Sequence, residues 1–207
     1  MRAYARERLA TPGPIVAASI VAIAATAIRN WRGSFLVDVM LAALLVAQFR
    51  LWDDLADREH DAADHPDRAL VRAESVRPFI AALAGLTALN ASVVALRWGI
   101  GGAFATFAAT IAALAVWYAT RRRRSLAGDH LRLAKYPAFT AVIAGGPSAI
   151  ASASALAMLG CVYLAFCVYE AWHDAASPFG SRTRAVEAAL LVTIALVLVL
   201  SFEGGIP

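Results

Sequence analysis

Cysteine is scarce in this sequence: Cys161 and Cys167 are its two cysteines, and both lie in one apolar stretch. They form no CxxC pair and no Cys/His spacing typical of a zinc site. A disulfide inside a membrane helix is not expected. We therefore interpret both residues as small hydrophobic side chains, and a thiol-based metal site is not predicted.

Charge is also scarce. Charged residues make up 16% of the chain, whereas a soluble domain carries about a quarter. Hydrophobic residues make up 60%, and the mean hydropathy is +0.63. The apolar residues fall in blocks rather than in helical stripes or strict alternation, so the expected solvent of this chain is a lipid bilayer.

The apolar blocks predict an all-α transmembrane bundle that forms one domain over residues 1–207. Each block approaches the roughly 20 residues that a helix needs to cross the hydrocarbon core. Gly145-Gly146-Pro147 predicts a break or kink in the fifth block. The basic N-terminus and first block resemble a signal peptide, but no small-x-small cleavage site precedes a soluble domain, so we expect a retained helix. The seven predicted spans are about 12–29, 35–52, 78–97, 101–120, 136–152, 154–172 and 184–203.

The basic residues are distributed unevenly between the connecting segments. Fifteen of the 19 precede span 1 or follow spans 2, 4 and 6, which must share one side of the membrane. By the positive-inside rule, the N-terminus and these loops are cytoplasmic and the C-terminus is outside, in the inner membrane of a bacterium. We therefore attribute the net charge of +4 to the orientation of the chain in the membrane, and no nucleic-acid partner is expected.

An acidic segment follows span 2. It carries Asp53, Asp54, Asp57 and Asp61, and the last three would share one helix face if the helix continued without interruption. Carboxylates at this density suit Mg²⁺, which prefers a few carboxylates together with phosphate and water. The alternative is a solvated acidic loop. We favour the metal site because topology does not require acidic residues at the mouth of two spanning helices.

Two further clusters lie at the predicted cytoplasmic ends of spans 6 and 4. Glu170 and Asp174 stand four residues apart and share a face, although a helix end that reaches water would look the same. Tyr118 and Arg122 have the same spacing and suit a diphosphate oxygen, although interfacial anchoring is an ordinary alternative. For Asn90 in span 3 we expect a helix–helix hydrogen bond, and for Asp38 an interfacial position.

These clusters together resemble the motifs of the UbiA superfamily of intramembrane prenyltransferases. Residues 53–61, DDLADREHD, resemble the first Asp-rich motif NDxxDxxxD, with Asp53 in the usual Asn position. Residues 65–72, HPDRALVR, resemble the Pro/Arg segment before the third helix. Tyr118-xxx-Arg122 resembles YxxxK with Arg for Lys, and Glu170-xxx-Asp174 resembles DxxxD with Glu for the first Asp. The motifs follow helices 2, 4 and 6, as they do in the family.

The resemblance implies a helix bundle around a central chamber and a Mg²⁺-dependent prenyl transfer. By this resemblance, a prenyl diphosphate would bind through the metal, ionise, and pass its prenyl group to a lipid-soluble acceptor of aromatic or quinone type. Metal and catalytic roles fall on the acidic residues, with Asp53 as an additional ligand, and diphosphate contacts fall on Arg68, Tyr118 and Arg122. The implied metal ligands are Asp54, Asp57, Asp61, Glu170 and Asp174.

Two other functions remain open at this point. One is a terpene cyclase of the same superfamily, in which the allylic cation is captured within the same isoprenoid molecule and no acceptor is used. The other is a non-catalytic isoprenoid- or lipid-binding membrane protein. The family usually has nine helices where seven are predicted here, which makes a homo-oligomer a prediction to test.

Overall fold

The computed structural model describes residues 1–120, 126–173 and 183–203, and its regular structure is all-α, as predicted. The N-terminal segment begins with α1 (Arg2–Tyr4) and continues as a π-helical turn (Ala5–Leu9). The remaining helices are α2 (Pro12–Ile28), α3 (Phe35–Ala56), α4 (Arg58–Asp64), α5 (Arg77–Trp98), α6 (Gly102–Thr120), α7 (Leu126–Leu133), α8 (Lys135–Ala144), α9 (Ala153–His173) and α10 (Thr183–Glu203).

Four of these helices are long and apolar enough to cross a bilayer: α3, α5, α6 and residues Ala153–Trp172 of α9. A fifth candidate is the pair formed by Arg2–Leu9 and α2, which meet at a bend of 64°. These four or five candidate spans within the described residues indicate an integral membrane protein.

The predicted helix at 136–152 is shorter than expected. α8 ends at Ala144 because Gly145 adopts a left-handed conformation, with φ 117°. The next residue, Gly146 (φ 90°), lies so close to α6 that a Cβ atom would be 2.4 Å from the backbone nitrogen of Ala103. Ten helical residues rise about 15 Å, which is half of a hydrocarbon core of roughly 30 Å.

The core lies where α2 packs against α3, α8 and α9. Alanines and valines on one side of α2, such as Ala18, Val21 and Ala25, allow its backbone to approach Leu41 and Leu45 of α3 closely. The small side chains thus allow α2 to pack closely against its neighbours.

Two buried polar contacts cross-link the same bundle. Asn90 of α5 donates a hydrogen bond to Gln48 Oε1 of α3 over 2.7 Å, which confirms the helix–helix bond expected for Asn90. Asp38 is fully buried rather than interfacial, because it accepts ion pairs from Arg29 and Arg97 (2.5 Å for Arg97). A buried carboxylate requires such partners, and both arginines lie at the end of α3 opposite the acidic segment.

Candidate functional site

The acidic segment is helical but interrupted. α3 extends to Ala56, so Asp53 and Asp54 lie in its last turn, while Asp57 ends α3 and Asp61 lies on α4. The backbone at Asp57 (φ −95°, ψ 0°) departs from helical geometry. The backbone hydrogen bonds nevertheless continue from Asp57 N to Asp53 O and from Asp61 N to Asp57 O. Asp54 and Asp61 therefore still line one small cavity, whereas Asp53 lines a different pocket.

Asp53 lies at the polar end of a pocket of about 410 Å³ between α2, α3, α8 and α9, which we call the amphipathic pocket. Side chains of Ile20, Val46, Phe49, Phe139 and Phe166 form its apolar wall. Arg50, Asp53, Lys135 and Glu170 line its polar end. The volume lies in the lower part of the roughly 300–1,000 Å³ range of small-molecule sites.

Each of the two acidic motifs contributes one carboxylate to this pocket. Asp53 forms an ion pair with Lys135 and accepts a hydrogen bond from the Tyr118 hydroxyl. Glu170 accepts from Arg132 Nη2 over 2.7 Å. The Lys135 side chain is only 4% exposed, and the nearby carboxylate is the partner that a buried cation requires.

Arg50 is the second cation at the polar end, and sequence reasoning did not assign it a role. Its side chain is 40% exposed, and its Nε atom lies 3.8 Å from Asp54 Oδ1, too far for a hydrogen bond. Among the described residues, Arg50 Nε has no hydrogen-bond partner. The available signal was its spacing, three residues before Asp53 on the same helix. Lys135 was also missed as a site residue, although it is the one lysine in the sequence.

Asp54 and Asp61 face the N-terminal segment rather than the amphipathic pocket. Asp54 accepts two hydrogen bonds from Arg8, of 3.0 and 2.5 Å, and one of 2.8 Å from the Tyr4 hydroxyl. Asp61 forms an ion pair with Arg68. The cavity between these residues holds only about 10 Å³, less than a water molecule usually needs.

The predicted site residues are therefore divided. Tyr118 and Glu170 contribute near the amphipathic pocket, whereas Arg68 is with Asp61, and Asp57 is half-buried at the end of α3. Arg122 and Asp174 lie outside the described residues. Among the residues that the structure does describe, no group of three His, Cys, Asp or Glu side chains converges as a metal site.

Asp54 and Asp61 line a cavity of only about 10 Å³, and each is paired with an arginine, so these two carboxylates do not fit a shared metal ion in this arrangement. Asp53 and Glu170 fit better, because Mg²⁺ commonly takes one or two carboxylates together with substrate phosphates and water.

No protein-family model, curated protein or solved structure matches the chain. The pocket itself, with an apolar wall and a charged end, suits a ligand with an apolar tail and an anionic head.

Proposed function

We propose that this protein transfers a prenyl group from a prenyl diphosphate to a lipid-soluble acceptor, of aromatic or quinone type, within the membrane. The observation that carries the proposal is the amphipathic pocket, whose charged end receives one carboxylate from each acidic motif. The motif order and its resemblance to the UbiA superfamily give independent support.

The charged end would bind the diphosphate. Arg50 and Lys135 supply two cations there, and Arg50 has a donor that no described residue uses. Hydrogen bonds from charged donors to phosphate oxygens are roughly twice as strong as neutral ones. The prenyl tail would lie against Phe49, Phe139 and Phe166, where burial of its hydrocarbon is favourable.

Asp53 and Glu170 are the residues that would hold Mg²⁺ together with the diphosphate. The bound metal would neutralise charge that develops on the pyrophosphate leaving group. Lys135 and Arg132 now balance these two carboxylates, and Lys135 is close enough to the pocket to turn towards a bound anion. Tyr118 holds the orientation of Asp53 through its hydroxyl.

We further propose that the pocket is the central chamber of the bundle and that its charged end faces the cytoplasm. The seven crossings, the cytoplasmic N-terminus and the outer C-terminus remain predictions from the distribution of arginine. The short α8 is the element that would have to be reconciled with seven full crossings. Labelling of single cysteines introduced at Arg6 and at Arg32 from each side of a vesicle would test the orientation.

A terpene cyclase is the second candidate, and the aromatic wall favours it. The rings of Tyr136 and Phe166 stack with centroids 3.5 Å apart, and those of Phe49 and Phe139 are 4.8 Å apart. Aromatic faces stabilise cations, which an internal cyclisation would generate inside the pocket. A volume of about 410 Å³ also suits one isoprenoid better than a donor and a large acceptor together.

A single assay separates the candidates. Purified protein is incubated with geranyl, farnesyl or geranylgeranyl diphosphate and Mg²⁺, with and without quinone-type acceptors, and pyrophosphate is measured. Release that requires an acceptor supports transfer, whereas release with a new hydrocarbon or alcohol and no acceptor supports cyclisation. Tight binding without release supports a non-catalytic isoprenoid-binding protein. Asp53→Asn should abolish release, and Glu59→Gln, on the exposed side of α4, is the matched control.

A further inference from the structure

The N-terminal segment, residues 2–9, turns away from α2 and attaches to the acidic segment. It meets α2 at 64°, and two of its side chains end on the same carboxylate. Arg8 donates to both oxygens of Asp54, and the Tyr4 hydroxyl donates to one of them. The Tyr4 ring is 1% exposed and lies edge-on against Phe79, with centroids 5.6 Å apart.

A second set of contacts holds the same segment in place. Glu7 Oε2 accepts a hydrogen bond of 2.9 Å from the backbone nitrogen of Ala69, in the connection between α4 and α5. Leu9 packs against the buried cluster that contains Tyr4, Leu51, Leu70 and Phe79. The segment is therefore attached to α3, to the α4–α5 connection and to α5, through polar and apolar contacts together.

Thr11 and the first turn of α2 form one part of the lining of the amphipathic pocket, which we call its rim. Residues 11–14, Thr-Pro-Gly-Pro, line the pocket. Gly13 comes so close to α9 that a Cβ atom would lie 3.2 Å from the Tyr169 hydroxyl, and Tyr169 also lines the pocket. Only Ala10 and Thr11 separate residues 2–9 from this turn, so the contacts that hold the segment also fix where α2 begins.

We propose that Asp54 anchors residues 2–9 instead of ligating Mg²⁺, and that this anchor holds the start of α2 in place at the rim of the amphipathic pocket. The inference rests on the proposed function for the identity of the ligand that is retained. Successive residues on a helix are separated by about 100°, so Asp53 can face the pocket while Asp54 faces the segment. Of the two adjacent carboxylates, Asp53 thus contributes to the pocket and Asp54 anchors the segment.

The bonding of Asp54 supports this division. Both of its oxygens already accept from Arg8, Tyr4 adds a third hydrogen bond, and Arg50 lies at 3.8 Å. A metal ion could reach Asp54 only after Arg8 withdrew and the buried Tyr4 ring left its contact with Phe79. Asp53 requires no such unpacking, because it already lines the pocket.

The anchoring role is tested on the full-length protein in lipid nanodiscs by two measurements. Hydrogen exchange reports on amides 2–9, and electron paramagnetic resonance reports Mn²⁺ affinity in the presence of pyrophosphate. Asp54→Asn should speed exchange by about tenfold, the equivalent of one charge-assisted hydrogen bond, with Mn²⁺ affinity almost unchanged. Asp53→Asn should lower Mn²⁺ affinity by at least tenfold and leave exchange unchanged, as expected for a lost ligand.

The effect of the anchor on the pocket is tested by the dissociation rate of farnesyl thiolodiphosphate, a slowly hydrolysed analogue. Arg8→Gln should release it about tenfold faster, in line with one lost charge-assisted hydrogen bond, and Arg8→Lys should restore most of the retention. Arg6→Gln is the control, because Arg6 is exposed on the same segment. If Asp54 acts through Arg8, adding Asp54→Asn to Arg8→Gln should change the rate little further.

Specific results would overturn the proposal. Loss of Mn²⁺ binding in Asp54→Asn while amides 2–9 stay protected would identify Asp54 as a metal ligand. Equal dissociation rates for Arg8→Gln and the unaltered protein would show that the anchor does not hold the rim of the pocket. Absence of Mn²⁺ and analogue binding in the unaltered protein would overturn the proposed function, whereas the exchange measurement on Asp54→Asn would still decide the anchoring.

Discussion

Lys135, at the start of α8, forms an ion pair with Asp53, at the end of α3, across 82 residues of sequence. Both side chains are largely buried, and both line the amphipathic pocket. The contact therefore joins the acidic segment to a helix that no spacing argument connects to it. It also provides a cation at the place where a diphosphate would bind.

Substitutions of Lys135 test whether its positive charge, rather than its size, contributes to ligand binding in the pocket. We expect Lys135→Met to weaken farnesyl diphosphate binding by about tenfold or more, since a charged hydrogen bond contributes roughly 1.5–3 kcal/mol. Lys135→Arg should keep most of the affinity. Isothermal titration in detergent measures both, and equal affinities for the Met variant and the unaltered protein would contradict the assignment.

Gly13 should control access to the pocket. A methyl group at this position would lie 3.2 Å from the Tyr169 hydroxyl, tighter than an ordinary contact, so Gly13→Ala should narrow the rim. We expect slower association of the farnesyl analogue in stopped-flow measurements, with little loss of stability, because alanine favours a helix. Tyr169→Phe removes the facing oxygen and should restore the rate in the double variant. An unchanged association rate in Gly13→Ala would show that the rim lies elsewhere.

The Asn90–Gln48 pair should stabilise the contact between α5 and α3. Both side chains are fully buried, and their hydrogen bond is 2.7 Å. Asn90→Leu should destabilise the protein by about 0.6–1.7 kcal/mol, the usual range for such bonds in membranes. Addition of Gln48→Leu should recover part of the loss, because it removes the unpaired partner. Unfolding in mixed micelles provides the measurement, and additive losses would argue against coupling.

Gly146 should tolerate substitution less well than Gly145. Both have positive φ angles, so alanine at either position is strained by roughly 1–2 kcal/mol. At Gly146 a Cβ would also come within 2.4 Å of the α6 backbone, whereas at Gly145 it meets the Trp98 ring at 3.5 Å. Melting temperatures should therefore fall further for Gly146→Ala than for Gly145→Ala. The reverse order would mean that α6 and α8 are not in contact there.

The long apolar helices were predictable because membrane spans are encoded locally. The predicted spans 78–97 and 101–120 agree with α5 (Arg77–Trp98) and α6 (Gly102–Thr120) within a residue or so. The break after Ala144 was also indicated, since Gly145-Gly146-Pro147 favours the end of a helix. These features depend on neighbouring residues alone.

The orientation of each carboxylate was not predictable in the same way. Helical spacing places Asp54 and Asp61 beside one small cavity, but it does not indicate that Arg8 and Arg68 occupy it. Whether Asp53 or Asp54 faces the pocket depends on distant partners, Lys135 for one and Arg8 for the other. A single sequence contains no local signal for such long-range pairs.

α3 is fixed at both of its ends by buried charge. Asp38 near its start is bound to Arg29 and Arg97, and Asp54 near its end is bound to Arg8. The two aspartates are 16 residues apart, which corresponds to about 24 Å of helix, and they bind different neighbours. α3 therefore cannot turn about its own axis without breaking an ion pair at one end. This torsional restraint keeps Asp53 directed at the pocket.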